Sequence, residues 1–316
     1  MTKRTHVSVL ALNPAVDISY EIQQLLEYQK VRARQTWYHP GGNGINVARA
    51  LTEIGVPANC CSIIGGESGD LLLNLLGDTL GDRHTSFRVT GETRLNTTIL
   101  QTSPPGQYEV TSVGPEISAD VLTKACDCLL EKTADGIAVL TGLLPPGVPE
   151  NTYRTMVERI NRQGGKAVVD SHGEALQQAI EAKPWMVRVN RYILEMHMKQ
   201  RVDSVQDVAT TARKIQLQGI EYVCVTLGDL GAVLVTADNS YHCNSPNVHK
   251  LSTVGCGDSL VAGLIAAAHN GETPQQMLHF GISCGSATAS HPGTELFRRD
   301  ELQAVAKDVD VTQLDI

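Results

Sequence analysis

The chain lacks the usual signatures of metal or redox chemistry. Its eight cysteines form no C-x-x-C pair, and its ten histidines show neither H-x-x-x-H nor H-E-x-x-H spacing. A structural zinc site is therefore not expected. The cysteines mostly sit in apolar strand or helix patterns, where cysteine acts as a small hydrophobe. No stretch approaches the roughly 20 apolar residues a membrane helix needs. The opening MTKRTHVSVLALNP has a basic start, but its apolar run stops at Asn13 and Pro14. It reads as a first strand, not a secretory leader. The chain is expected in the cytoplasm, where a disulfide framework is not. Positive charge is also short: the net charge is −8. A general nucleic-acid binder would be basic, so that class is set aside, and any anionic ligand must meet a local cluster of cations. No Walker loop occurs, since GGKA at 164–167 lacks the hydroxyl residue, and no full G-x-G-x-x-G occurs either. A nucleotide would have to be held by some other device.

What is present is an ordinary globular composition: 316 residues, 42% apolar and 19% charged. That length carries ample core. Strand and helix patterns alternate. HVSVLAL, ANCCSII, GIAVLTG, KAVVD, PWMVRVN and EYVCVTLG read as strands. GINVARALTEIG reads as a helix with Gly55 as its stop, and GDLLLNLLGDTLG as another. ISADVLTKACDCLLEK follows with Ser118 as N-cap, then NTYRTMVERINRQG, GEALQQAIEA and VQDVATTARKIQLQG. The alternation predicts an α/β fold, a mostly parallel central sheet with helices on both faces. Two segments break the rhythm. Residues 13–40 read as irregular, and 86–114 as two strands, NTTILQT and QYEVTSV, joined at SPPG. They suit a small β-sheet lid over a cleft. No repeat or linker appears, so residues 1–316 read as one domain with a lid from about 13–40 and 86–114.

In an open α/β sheet, ligands bind beyond the C-terminal ends of the strands. Asn13, Asp17, Gly142, Asp170, Asn190 and Gly228 all fall at such ends. In TVGCGDS (253–259) two glycines flank Cys256 just before an apolar helical run. Amides at that helix start would form an anion hole for a phosphoryl group, and Asp258 would accept a proton from an attacking hydroxyl. The bland alternative is an N-cap aspartate after a turn. PGGNGINVAR is a second glycine-rich turn into a helix, with Asn46 able to donate and accept hydrogen bonds.

Seven motifs, LNPAVDISY (12–20), GGNGINVAR (41–49), ETRLNTTI (92–99), LPPG (144–147), VDSHGEAL (169–176), TLGDLGA (226–232) and TVGCGDS, follow one another in order. With them the whole chain resembles a PfkB-type carbohydrate kinase of the ribokinase-like fold, in the hexose-phosphate branch. That resemblance implies ATP as donor, Mg²⁺ carried by its phosphates, and a homodimer through the lid. It implies Asp258 as catalytic base and Gly255, Cys256 and Gly257 as the anion hole. Asp17, Gly41, Gly42 and Asn46 would hold the sugar, and Lys30 and Arg94 its phosphate. Arg188, Asn190, Thr226, Gly228 and Gly231 would meet the nucleotide. A K⁺ ion near Ser252 and Val254 comes from the same pattern. Arg94 can grip phosphate in a fork, with Lys30 as a point charge.

The chain departs from the family at three positions. Ile193 stands where a glutamate organises Mg²⁺, and Glu195 is out of register to replace it. Leu143 stands for a serine near the sugar. Cys256 stands for alanine; core-like packing is its expected role, and a thiol pKa lowered by the helix N-terminus is the alternative. The favoured substrate is fructose 1-phosphate, because PWMVRVNR and TRLNTTI resemble 1-phosphofructokinase. Tagatose 6-phosphate and fructose 6-phosphate follow. A kinase for an unphosphorylated sugar and a catalytically weak sugar-phosphate-binding paralogue are the competing readings.

Overall fold

The computed structural model describes residues 6–315, so the basic start at Lys3 and Arg4 lies outside them. The strands are β1 (Val7–Ala11), β2 (Ala15–Ile22), β3 (Gln35–Gly41), β4 (Ala58–Gly65), β5 (His84–Val89), β6 (Arg94–Thr102), β7 (Pro105–Val110), β8 (Ile137–Thr141), β9 (Lys166–Asp170), β10 (Met186–Asn190), β11 (Tyr222–Thr226), β12 (Ala232–Val235), β13 (Ser240–Cys243) and β14 (Val311–Leu314). The helices are α1 (Asn43–Ile54), α2 (Gly66–Leu76), α3 (Ala119–Thr133), α4 (Thr152–Arg162), α5 (Gly173–Glu181), α6 (Arg191–Met198), α7 (Val205–Gln216), α8 (Cys256–His269), α9 (Pro274–Ala289) and α10 (Leu302–Ala306).

Ten strands form one sheet in the order β14-β13-β12-β11-β10-β9-β8-β1-β4-β5. The seven from β11 to β5 pair in parallel, while β12, β13 and β14 add an antiparallel edge. Neighbouring residues on the central strands feed opposite faces. Val9 and Cys60 pack with α1, α8 and α9, through side chains such as Leu51, Leu264 and Leu278. Leu10 and Cys61 pack on the other side with Leu129, Val157 and Ile215 of α3, α4 and α7. Burial on both faces explains why these strands read as unbroken apolar runs.

A second sheet of four strands runs β3-β2-β6-β7. Its two halves come from the segments that broke the sequence rhythm, with shifted boundaries. Residues 13–40, read as irregular, hold β2 and β3, paired from Ala15↔Gly41 to Glu21↔Gln35. The strand pattern is hard to read because the cleft-facing side of β2 carries Asp17, Ser19 and Glu21 instead of apolar residues. From the 86–114 stretch, His84–Val89 belongs to the large sheet, at its edge beside β4. Only β6 and β7 join the small one. Elsewhere α2 stops at Leu76, short of the expected Gly81, and Gly77 takes a φ of 48° at its end. Gly55 closes α1 in the left-handed conformation. Ser118 occupies the N-cap position of α3, but its side chain makes no capping bond.

Candidate active site

Asp258 lies in the first turn of α8 and is buried, with 5% of its surface exposed. Two amides hold its carboxylate: Asn43 Nδ2 donates to Oδ1 at 2.9 Å and Asn46 Nδ2 to Oδ2 at 2.8 Å. Burial pushes its pKa up to about 7, helped by the nearby Asp170, while Asn46, Asn43 and Arg188 work against the rise. A carboxylate that titrates near neutrality suits proton transfer at physiological pH. The helix begins after Gly255, whose φ is 81°. The Cys256 amide donates weakly to the Thr253 carbonyl at 3.4 Å. The next two amides, of Gly257 and Asp258, have no partner within the described chain and belong to the donors that every helix N-terminus leaves open. The Arg188 guanidinium lies directly over them: a Cβ on Gly257 would fall 2.5 Å from one of its nitrogens. A side chain at 257 would therefore displace the Arg188 guanidinium, which lies beside the first turn of α8.

Arg188 is the middle residue of β10. It pairs with Asp170 at 3.2 Å and donates to Thr226 Oγ1 at 2.8 Å. Burial opposes its charge, and Asp170, Cys224 and Asp258 outweigh that, so the guanidinium stays ionised. Its Nε is buried without a partner. Arg188 forms one wall of a cavity of about 280 Å³ that also holds Asn190, Thr226, Gly228, Gly231 and Lys250. Every residue assigned to the nucleotide from the sequence therefore lines one cleft, and Cys256 and Gly257 reach it from the α8 side. Lys250, which the sequence reading missed, stands at its mouth in an ion pair with Asp229.

The second sheet carries three of the residues assigned to the sugar phosphate, Asp17, Gly41 and Arg94. Register places Ala15 against Gly41 and Arg94, and Asp17 against Asn96, so these residues share one end of the sheet. Asp17 is buried, accepting from Asn96 Nδ2 and from Thr294 Oγ1, both at 2.8 Å. Burial raises its pKa, and the two hydrogen bonds with Arg94 and Arg49 offset part of that rise. Gly41 is required beside it, because a Cβ there would lie 2.1 Å from the Asp17 carboxylate. Arg94 is anchored through Nε to the Asn13 carbonyl at 3.1 Å, leaving most of its guanidinium fork uncommitted. The two carboxylates are linked through α1. Arg49 donates to the carbonyls of Pro40, at 2.8 Å, and Thr294, at 3.3 Å, and contacts Asn46 Oδ1 at 3.4 Å. Asn46, expected to touch sugar, donates to Asp258. Asn43, Arg49, Asn96 and Thr294 were missed as site residues. Asn43 and Arg49 lie within the quoted GGNGINVAR and could have been found; nothing local marks Thr294.

Other assignments land differently. Lys30 is exposed in the loop between β2 and β3, beyond the Glu21↔Gln35 end of that hairpin. The chain's own Asp17 and Arg94 occupy the opposite end, so one chain does not bring Lys30 to Arg94. Gly42 serves as N-cap of α1 with a φ of 86°. Leu143 is 46% exposed after β8, its carbonyl accepting from Asn13 Nδ2. Ile193 lies in the first turn of α6, half-buried against the apolar cluster, and its amide donates to Asn190 Oδ1 at 2.8 Å. Glu195 accepts from the Val202 amide at 3.0 Å and from Arg191, which ties it to a loop away from Asp258. The alternative of a reactive thiol at Cys256 is not supported. Burial, with the Asp258 charge adding to it, pushes Cys256 up to about 12, and its Sγ turns to the Ser252 carbonyl. Desolvation and a neighbouring carboxylate outweigh the helix terminus. Ser252 is buried, and its hydroxyl accepts from the Val254 amide at 3.2 Å.

Among the described residues, no three His, Cys, Asp or Glu side chains are grouped to hold a metal. Asp170 is taken by Arg188 and Asp229 by Lys250. The donors present fit nucleotide phosphates, and a Mg²⁺ held by those phosphates needs no protein ligand.

Fold and site together define a ribokinase-like phosphotransferase, with a cavity at the strand ends beside the start of α8, where Asp258 is buried. The chain belongs to the pfkB family of carbohydrate kinases, whose profile matches residues 10–300. It is 30% identical to the 1-phosphofructokinase of Bacillus subtilis strain 168, over 98% of this chain and 100% of that one. It is also 30% identical to the ATP-dependent 6-phosphofructokinase isozyme 2 of Escherichia coli K12, over 95% and 97% respectively. The crystal structure of phosphofructokinase-2 from Escherichia coli in complex with substrates and products superposes with a TM-score of 0.91 at 30% identity, covering 96% of this chain and 98% of that one. The chain is an ATP-dependent sugar kinase of the hexose-phosphate class. Among the described residues no helix is long and apolar enough to cross a membrane.

Proposed function

We propose that this protein transfers the γ-phosphate of ATP to fructose 1-phosphate, yielding fructose 1,6-bisphosphate. The observation that carries the reading is Asp258: a buried carboxylate near neutral pKa, held by two side-chain amides at a helix start that lies beside the Arg188 guanidinium. Asp258 takes the proton from the sugar's primary hydroxyl. That oxygen attacks phosphorus in line as the bond to ADP breaks. The Gly257 and Asp258 amides and Arg188 receive the charge that develops on the transferring group. Asp17, with Asn96 and Thr294 behind it, orients sugar hydroxyls, and the Arg94 fork takes the phosphate already on the sugar. Mg²⁺ bound to the nucleotide supplies further charge neutralisation.

Fructose 1-phosphate is favoured by the PWMVRVNR and TRLNTTI segments and by the 1-phosphofructokinase relatives. Fructose 6-phosphate is the second reading, favoured by the 0.91 superposition on phosphofructokinase-2. A K⁺ ion beside Ser252 and Val254 belongs to this proposal on the family pattern, as does a homodimer through the second sheet.

Steady-state kinetics with fructose 1-phosphate, fructose 6-phosphate, tagatose 6-phosphate and free fructose test it. The highest kcat/KM is expected with fructose 1-phosphate. Asp258→Asn should lower kcat by about 10³-fold. Arg94→Ala should raise KM for the sugar phosphate about tenfold or more, with little change for ATP. A preference for free fructose, or turnover surviving Asp258→Asn, would overturn the reading.

A further inference from the structure

We propose that Cys61 and Cys128 form a redox-modification site, a dithiol that a hydroperoxide converts to an intramolecular disulfide. Cys61 sits on β4 with its side chain in the apolar cluster shared with α3. Cys128 comes down from α3 onto the same spot, and the two sulfurs are 2.8 Å apart. Residues this distant in sequence meet because α3 lies across β4. Cys60, the neighbour of Cys61, belongs to the opposite face of the sheet and cannot compete. Cys61 is buried, whereas Cys128 is half-buried, so Cys128 is the more accessible of the two to a small oxidant.

Burial, together with the contact to Cys128, pushes the Cys61 thiol up, while Lys132, one helical turn beyond Cys128 on α3, acts to lower it. Cys126 and Cys256 are held as neutral thiols by burial, at about 11 and about 12. Neither sulfur of the pair lines the nucleotide cleft.

The Cys128 thiolate attacks the distal oxygen of the hydroperoxide. The O–O bond breaks, the alcohol or water departs with a proton, and Cys128 becomes a sulfenic acid. Cys61 sulfur then attacks Cys128 sulfur, the S–O bond breaks, and water leaves with the Cys61 proton. Two thiols and one hydroperoxide give one disulfide, one water and one alcohol, or a second water when the oxidant is hydrogen peroxide. The bond would close a long loop that contains β5, β6 and β7, which restricts the unfolded chain.

Full-length protein treated with stoichiometric hydrogen peroxide tests this. Intact mass should fall by two hydrogens, and peptide mapping should link the Cys61 and Cys128 peptides. The Tm should rise by about 5 °C. Kinase activity should stay within twofold, and dithiothreitol should restore two alkylatable thiols. Cys61→Ser should instead trap the Cys128 sulfenic acid as a dimedone adduct, and Cys128→Ser should show neither product. Cys128→Ala, at a half-buried helix position, serves if the buried substitution fails to fold. Free alkylation of both thiols after treatment, a disulfide elsewhere, or a Cys128 sulfenic acid that persists in the unaltered chain would overturn the proposal.

Discussion

Asp258 needs an environment that keeps it protonatable near neutrality yet able to ionise. Burial and the Asp170 charge raise it, and the amides of Asn43 and Asn46 restrain the rise. The active form is the carboxylate, so kcat/KM should fall as pH drops through about 7. Removing one donor with Asn46→Ala leaves the desolvation in place and the carboxylate less stabilised. The acid limb of the pH–rate profile should then move alkaline by roughly one unit. An unmoved limb would mean that the titrating group is not Asp258. At this scale much of the site was legible. Asp17, Arg94, Asp258 and the glycines stand in short local motifs whose chemistry does not depend on the rest of the chain. The partner of each residue was not legible. Asn46 bonds Asp258 across 212 positions, and Thr294 bonds Asp17 across 277. The Cys256 thiol shows the same limit: a helix N-terminus is visible in sequence, while the burial that overrides it is not.

Two elements carry their own expectations. In α6, Ile193 occupies the turn that follows Asn190, and Glu195 is committed to the Val202 amide. Neither provides a carboxylate beside the phosphates. Ile193→Glu should raise kcat, or lower the Mg²⁺ needed for half-maximal rate, by about tenfold. Kinetics over a Mg²⁺ titration would show it. In the β6–β7 hairpin, Gln107 donates to Thr253 Oγ1 at 2.8 Å and accepts from the Thr253 amide at 3.0 Å. This pair fastens the second sheet to the loop that leads into α8. Gln107→Ala should raise KM for the sugar phosphate by about 3–10-fold and increase ATP hydrolysis without sugar, read by separate ADP and sugar-product assays. Most helices and parallel strands were readable because their apolar periods are strong. The strands of the small sheet were less so, since one face lines a polar cleft. The strand at His84–Val89 was not read at all, and its later residues fell inside the segment given to the lid, because pairing partners leave no mark on a strand's own sequence.

At the scale of the molecule, the second sheet has two unlike faces. Asp17, Ser19, Asn96 and Gln107 face the large sheet. Alternation sends Tyr38, Leu95, Tyr108 and Val110 to the far side, where they are 50%, 44%, 47% and 62% exposed. Tyr28 stands fully exposed in the adjoining loop. An apolar patch of this kind calls for a partner, and the proposed homodimer supplies one. Tyr38→Asp should convert a dimer to a monomer in light scattering. The Lys30 loop lies at the rim of the same face. The sequence by itself determined the class of fold, the glycine turns and the candidate for the reacting carboxylate, because apolar period and turn chemistry act between neighbours along the chain. Only the tertiary structure decided which strands pair, which amides hold Asp258, how strongly burial shifts it, and which face of the small sheet meets solvent. Those depend on desolvation and on contacts between residues far apart in sequence, which local order does not encode.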